Sequence, residues 1–94
     1  MNYLSNYGID EKMLKEIKNY NTKLFLDLDY YESRVKENMD YLLSLGFTNL
    51  YALLMYKMEI VFEKKETLQN LISKDKEIIS KANKDIMLFD EIGL

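Results

Sequence analysis

The chain has 94 residues, 48% apolar and 13% aromatic, which excludes a disordered segment and allows one domain at most. Sixteen acidic residues against thirteen basic give a net charge of −3, which argues against a general nucleic-acid binder but leaves room for a local basic face. Cysteine and histidine are both absent, which removes disulfides, thiolate metal sites and the usual acid-base and thiol catalytic groups.

A reducing, cytoplasmic setting fits the lack of cysteine. The opening MNYLSNYG has neither a basic region nor a long apolar run, so no signal peptide is expected. Proline is absent, helix formers dominate, and Gly8, Gly46 and Gly93 each follow an apolar helical pattern. These features predict an all-α protein.

Taken in order, Asn2 to Tyr7 form a short turn that closes at Gly8. Asp10 starts a helix, EKMLKEIKNY, with Met13, Leu14 and Ile17 on its apolar side and Glu11 and Lys15 spaced for an i,i+4 pair. Asn19 to Thr22 read as a turn, because their side chains compete with the helical backbone. Lys23 to Leu28 read as a tight helical turn or an extended link that plugs the core.

The stretch from Asp29 to Phe47, DYYESRVKENMDYLLSLGF, is the helix around which the rest is organised. Asp29 is the expected N-cap, with Glu32 completing a capping box. Tyr31, Val35, Met39 and Leu42 recur on one helical face. Gly46 is expected to end the helix in a left-handed conformation, with Leu42 and Phe47 making the accompanying apolar contact.

Thr48 is the expected cap of the next helix, NLYALLMYKM. Leu50, Leu53, Leu54 and Met58 form one face, and Tyr51, Ala52 and Met55 make most of the circumference apolar, so this helix is placed at the centre. The apolar run from Leu50 to Phe62 contains Lys57 and Glu59 and is too short for a membrane span. Glu59 to Phe62 break away. Thr67 is the expected cap of the last helical region, with Leu68, Leu71, Ile72, Ile78, Ile79, Ala82, Ile86 and Phe89 as its stripe. The polar run Ser73 to Glu77 leaves open one long helix or two meeting near Lys74 or Asn83.

Tyr3 to Ile9, YLSNYGI, matches Tyr41 to Phe47, YLLSLGF, at a spacing of 38 residues, and Leu88 to Leu94 start similarly 47 residues after Tyr41. The chain therefore reads as a small helical bundle of about two helix-turn-helix repeats, solenoid-like, with units at 3–40 and 41–87 and the start of a third at 88–94. The run from Val35 to Phe47, followed by Leu50, Leu53 and Leu54, resembles the repeat of the mitochondrial transcription termination factor family. That resemblance implies a helical solenoid that binds nucleic acid through a basic concave face.

Little chemistry can be built from these residues. Asp27, Asp29 and Glu32 look faintly like a calcium loop, but Tyr31 and Asn38 fall where ligands belong and the required glycine is missing. There is no Gly-rich phosphate loop. No cofactor, no metal and no enzymatic activity are expected.

The expected function is a non-enzymatic helical binding module that acts through protein-protein contacts, with self-association in view. Eight tyrosines are too many for so small a core, and exposed tyrosine is common at interfaces. Tyr30, Tyr41 and Tyr56 are the interface candidates, with Ile86 and Phe89 as a cap or dimer seam. The alternative is a nucleic-acid-binding helical repeat protein of the termination factor type, using Lys12, Lys15, Lys18, Lys57, Lys64 and Lys65. The acidic balance ranks protein contacts above it.

Overall fold

Gly46 closes its helix with a φ of 96°, a conformation that a side chain with a Cβ resists. The Gly46 amide donates to the Leu43 carbonyl at 3.0 Å and the Phe47 amide to the Leu42 carbonyl at 3.0 Å, which is the Schellman pattern. Gly8 and Gly93 repeat it. Ile9 donates to Leu4 at 3.2 Å and Leu94 to Phe89 at 3.0 Å, over the same separation. Leu4, Leu42 and Phe89, the residues that accept these bonds, are all buried.

The computed structural model describes residues 2–94, and the regular elements among them are all helical. The α-helices are α1 (Glu11–Tyr20), α2 (Thr22–Phe25), α3 (Asp27–Tyr30), α4 (Glu32–Ser44), α5 (Leu50–Tyr56), α6 (Lys65–Ile72) and α7 (Ile78–Lys84). Three 3-10 turns, Asn2–Tyr7, Met58–Phe62 and Ile86–Ile92, complete the chain. This is a small all-α helical bundle. No helix among the described residues is long and apolar enough to cross a membrane.

The bundle is layered by parallel neighbours. Glu16 of α1 accepts a hydrogen bond from the Tyr51 hydroxyl of α5, and Tyr20 meets Tyr56 edge-on at 5.4 Å. Both pairs advance in the same direction, so α1 and α5 run parallel. On the other side, Arg34 donates to the Phe62 carbonyl at 3.3 Å, and Lys65 lies over the Tyr41 ring at 5.9 Å. Thus α4 runs parallel to the chain that leaves α5 and enters α6. The helix α5 packs against α1, the Met58–Phe62 turn and the Ile86–Ile92 turn, and Leu50, Leu53, Leu54 and Met55 are buried among them. Its central position follows from its apolar circumference.

Three buried or half-buried asparagines fasten the joints. The Asn21 side-chain amide donates to the carbonyls of Leu54 at 3.0 Å and Met55 at 2.7 Å, closing the end of α5 from the end of α1. Asn38 donates to Val61 at 2.8 Å and Glu63 at 2.6 Å, tying α4 to the 3-10 turn. Asn83 donates to the Gly46 carbonyl at 2.9 Å and accepts from the Thr48 amide at 2.9 Å. Backbone groups left over at helix ends and turns are satisfied by side chains from distant helices.

Several expected boundaries move. Asp29 lies inside α3, and α4 begins after Tyr31 with no side-chain cap. The reason is that α3 runs almost directly into α4, so Tyr31 itself, at φ −105° and ψ 34°, makes the break and its carbonyl accepts from Val35. The break also turns Tyr31 outward, so the buried face of α4 is Val35, Asn38, Met39 and Leu42. Thr48 does not cap α5. Asn49 does, accepting from Ala52 at 3.1 Å, while Thr48 is held by Asn83.

The helix α5 ends at Tyr56, and Met58 passes to the 3-10 turn. Thr67 sits within α6, which starts two residues earlier from extended Glu63 and Lys64. The turn expected over Asn19 to Thr22 shrinks to Asn21 alone. Glu11 and Lys15 form no ion pair among the described residues. The last region is three pieces rather than one or two helices, because the polar run and then Asp85 each break it. The matches at Tyr41 and Leu88 mark closing turns, so the unit boundaries drawn there fall inside α4 and inside the Ile86–Ile92 turn.

Candidate functional site

The most exposed large apolar side chains gather where α2, α3 and α4 join. Leu26 is 72% exposed and Tyr30 is 80% exposed. The Tyr30 amide donates to the Leu26 carbonyl at 3.2 Å, so the two residues stand one helical turn apart on one side. Tyr30 meets Tyr31 edge-on at 4.7 Å, and Tyr31 meets Phe62 at 6.1 Å. The Arg34 guanidinium lies 5.9 Å from the centre of the Tyr31 ring while bonding the Phe62 carbonyl. Tyr30, Tyr31 and Phe62 thus form a run of edge contacts with Arg34 beside it, drawn from α3, α4 and the Met58–Phe62 turn.

Tyr20 and Tyr56 form a second, smaller aromatic pair at the ends of α1 and α5, both exposed. Tyr41 is half-buried against the core and covered by Lys65. Of the expected interface residues, Tyr30 and Tyr56 are therefore at the surface. Ile86 and Phe89 are not. Phe89 is fully buried and packs on Phe47 at 5.6 Å, and Ile86 is buried beside it in the chain. They close the core from within, which withdraws them as a dimer seam. Leu26 is an exposed apolar residue that was not among the expected candidates. A helical reading of Leu26 to Tyr30 puts it on the Tyr30 side, away from buried Leu28.

The lysines fall into separate places. Lys12, Lys15 and Lys18 rim an open groove on α1 whose floor is Leu14 and Phe25. Lys64 and Lys65 border a different hollow with Arg34, Glu37 and Glu66. Lys57 is only 6% exposed; its ammonium pairs with the Asp90 carboxylate and donates to the Leu94 backbone oxygen at 2.9 Å. It is consumed as a latch between α5 and the last turn and cannot reach a phosphate.

The shifted titratable groups are structural in character. Burial, then the bond to Asp40 at 2.8 Å, pushes the Tyr7 hydroxyl up to about 12. The bond to Glu16, then burial, pushes Tyr51 to about 12. Burial, then the charges of Glu32 and Asp29, raises Tyr3 well above the usual tyrosine value, and its hydroxyl donates to the Leu28 carbonyl at 2.5 Å. Lys81 and Asp75, bonded at 2.8 Å, move apart, the lysine up and the carboxylate down. These groups keep their ordinary charge states near neutral pH. No group of three or more carboxylates among the described residues is placed to hold a metal ion.

The fold and surface together define a class, a small all-α bundle that presents an aromatic patch. Scans against protein-family models, curated proteins and solved structures each find no match to this chain.

Proposed function

We propose that this chain is a non-enzymatic helical binding module that acts through protein contacts and self-associates through the patch of Leu26, Tyr30, Tyr31, Arg34 and Phe62. One observation carries this reading: the most exposed of the large apolar side chains, Leu26 and Tyr30, adjoin a run of aromatic contacts and an arginine. Tyrosine and arginine are the residues that most often dominate binding energy at interfaces. A cytoplasmic location belongs to the same reading. Sedimentation over a wide concentration range, with affinity capture from the source cell, tests it. Self-association or capture should be lost on Leu26→Ser with Tyr30→Ser, and the fold should be retained. A strict monomer that captures nothing through this patch would overturn the reading.

A second reading is the nucleic-acid-binding helical repeat of the transcription termination factor type. The parallel stacking of α1 on α5, with three alike glycine ends, favours it. The loss of Lys57 to an internal pair weighs against it. Binding to DNA or RNA that survives physiological salt and disappears on Lys15→Glu with Lys18→Glu would promote it.

A further inference from the structure

The groove on α1 has a volume of about 640 Å³ and is lined by Glu11, Lys12, Leu14, Lys15, Lys18 and Phe25. At 3.6 residues per turn, Leu14, Lys15 and Lys18 fall on the side of α1 opposite Glu16 and Tyr20, the residues that meet α5. The groove is thus the flank on which another helix could lie against α1 as α5 does on the other side. Its floor is apolar, with Phe25 buried and Leu14 half-buried, and the Lys18 ammonium stands 6.0 Å from the Phe25 ring centre. Among the described residues no carboxylate pairs with Lys12, Lys15 or Lys18.

We infer that this groove docks an acidic amphipathic helix of a partner protein. The partner's apolar face covers Leu14 and Phe25, and carboxylates along its edges meet Lys12, Lys15 and Lys18. Charge complementarity selects this occupant. In a chain of net charge −3, three lysines face a single glutamate here, around an apolar floor. A purely apolar helix would leave the three ammonium groups without partners, and a basic one would be repelled. This surface is distinct from the aromatic patch, so the module has two faces.

The test is titration of the isotope-labelled full chain with a synthetic amphipathic helical peptide bearing leucines on one face and glutamates beside them, followed by NMR. The amide shifts should centre on Leu14, Lys15, Lys18 and Phe25 and spare Leu26 to Tyr31. Lys15→Glu with Lys18→Glu should weaken binding about tenfold or more, and added salt should weaken it further. Both lysines are exposed, so the variant should keep the fold, which circular dichroism checks. No binding, binding unchanged in the variant, or equal binding of a peptide with lysines in place of the glutamates would overturn the proposal. So would tighter binding of an oligonucleotide at physiological salt, or self-association abolished by the variant, which would assign the groove to nucleic acid or to a second copy. Failure here leaves the aromatic patch, read by Leu26 and Tyr30, untouched.

Discussion

Phe47 and Phe89 pack with ring centres 5.6 Å apart and planes tilted by 52°, both completely buried. Each belongs to a glycine-closed end. Phe47 follows Gly46, and the carbonyl of Phe89 accepts the bond that closes the turn at Gly93. The contact locks the turn between α4 and α5 to the last turn of the chain. Replacing either ring by leucine should cost about 1–3 kcal/mol, and the double variant should show a coupling of about 0.5–1.5 kcal/mol. Chemical denaturation of the four proteins measures it. Strict additivity would mean that the rings contribute area but no specific geometry.

Lys57 is buried while its partner Asp90 is largely exposed, so the two ends of this pair should respond unequally. Asp90→Ala leaves an ammonium inside the bundle and should cost about 1–3 kcal/mol. Lys57→Met removes the charge and keeps the packing, and should be close to neutral. Urea unfolding distinguishes them. A silent Asp90→Ala beside a costly Lys57→Met would show that the ammonium is held by the Leu94 oxygen rather than by Asp90.

Gly46 has open space where a Cβ would stand, so substitution there meets conformational strain and no clash. Gly46→Ala should cost about 1 kcal/mol and Gly46→Val about 1–2 kcal/mol, lowering the melting temperature by several degrees. An unchanged melting temperature for the valine variant would contradict the left-handed helix end.

Alkali should weaken the fold through its tyrosines. Tyr7 and Tyr51 titrate near 12 when folded and near 10 when unfolded, so the unfolded state releases protons first. Their contribution is complete below pH 10 and is lost as pH rises from 10 to 12. Tyr7→Phe, followed by circular dichroism against pH, should shift the alkaline transition upward. In acid the sign reverses for Asp75, whose lowered folded value makes its contribution present above pH 4 and lost as pH falls further.

Capping can be tested at three positions at once. Asn49→Ala should cost about 0.5–2 kcal/mol, because it removes the acceptor for the Ala52 amide. Thr67→Ala should lie within about 0.5 kcal/mol of wild type, since Thr67 sits inside α6. Asn83→Ala should exceed both, because one side chain serves Gly46 and Thr48 together. The order of the three thermal midpoints is the check.

Local rules made the helical class, the glycine end at Gly46, the cap at Asp10 and the central placement of α5 legible in the sequence. The Asp10 carboxylate accepts from Met13 three residues on, and Leu42 and Phe47 meet across five residues, distances that chain geometry alone nearly dictates. Where two local rules competed, tertiary structure chose. Thr48 and Asn49 are both good caps, and Asn83, reaching from α7, took the first and left the second to α5. Tyr31 satisfied the helical period of α4, yet the join with α3 turned it outward onto Phe62. The aromatic patch was half legible: surplus tyrosines pointed to a surface and helical spacing puts Leu26 beside Tyr30, but only the tertiary packing brought Phe62 to Tyr31 and Arg34. Lys57 and the lysines of α1 look alike in sequence. One is buried because Asp90, 33 residues away, lies beside it in the fold, while the others stay at the surface because nothing in the bundle covers them. Periodicity sets which face of a helix is apolar, but burial of a charge depends on a partner brought in from a distance, and that pairing exists only once the chain has folded.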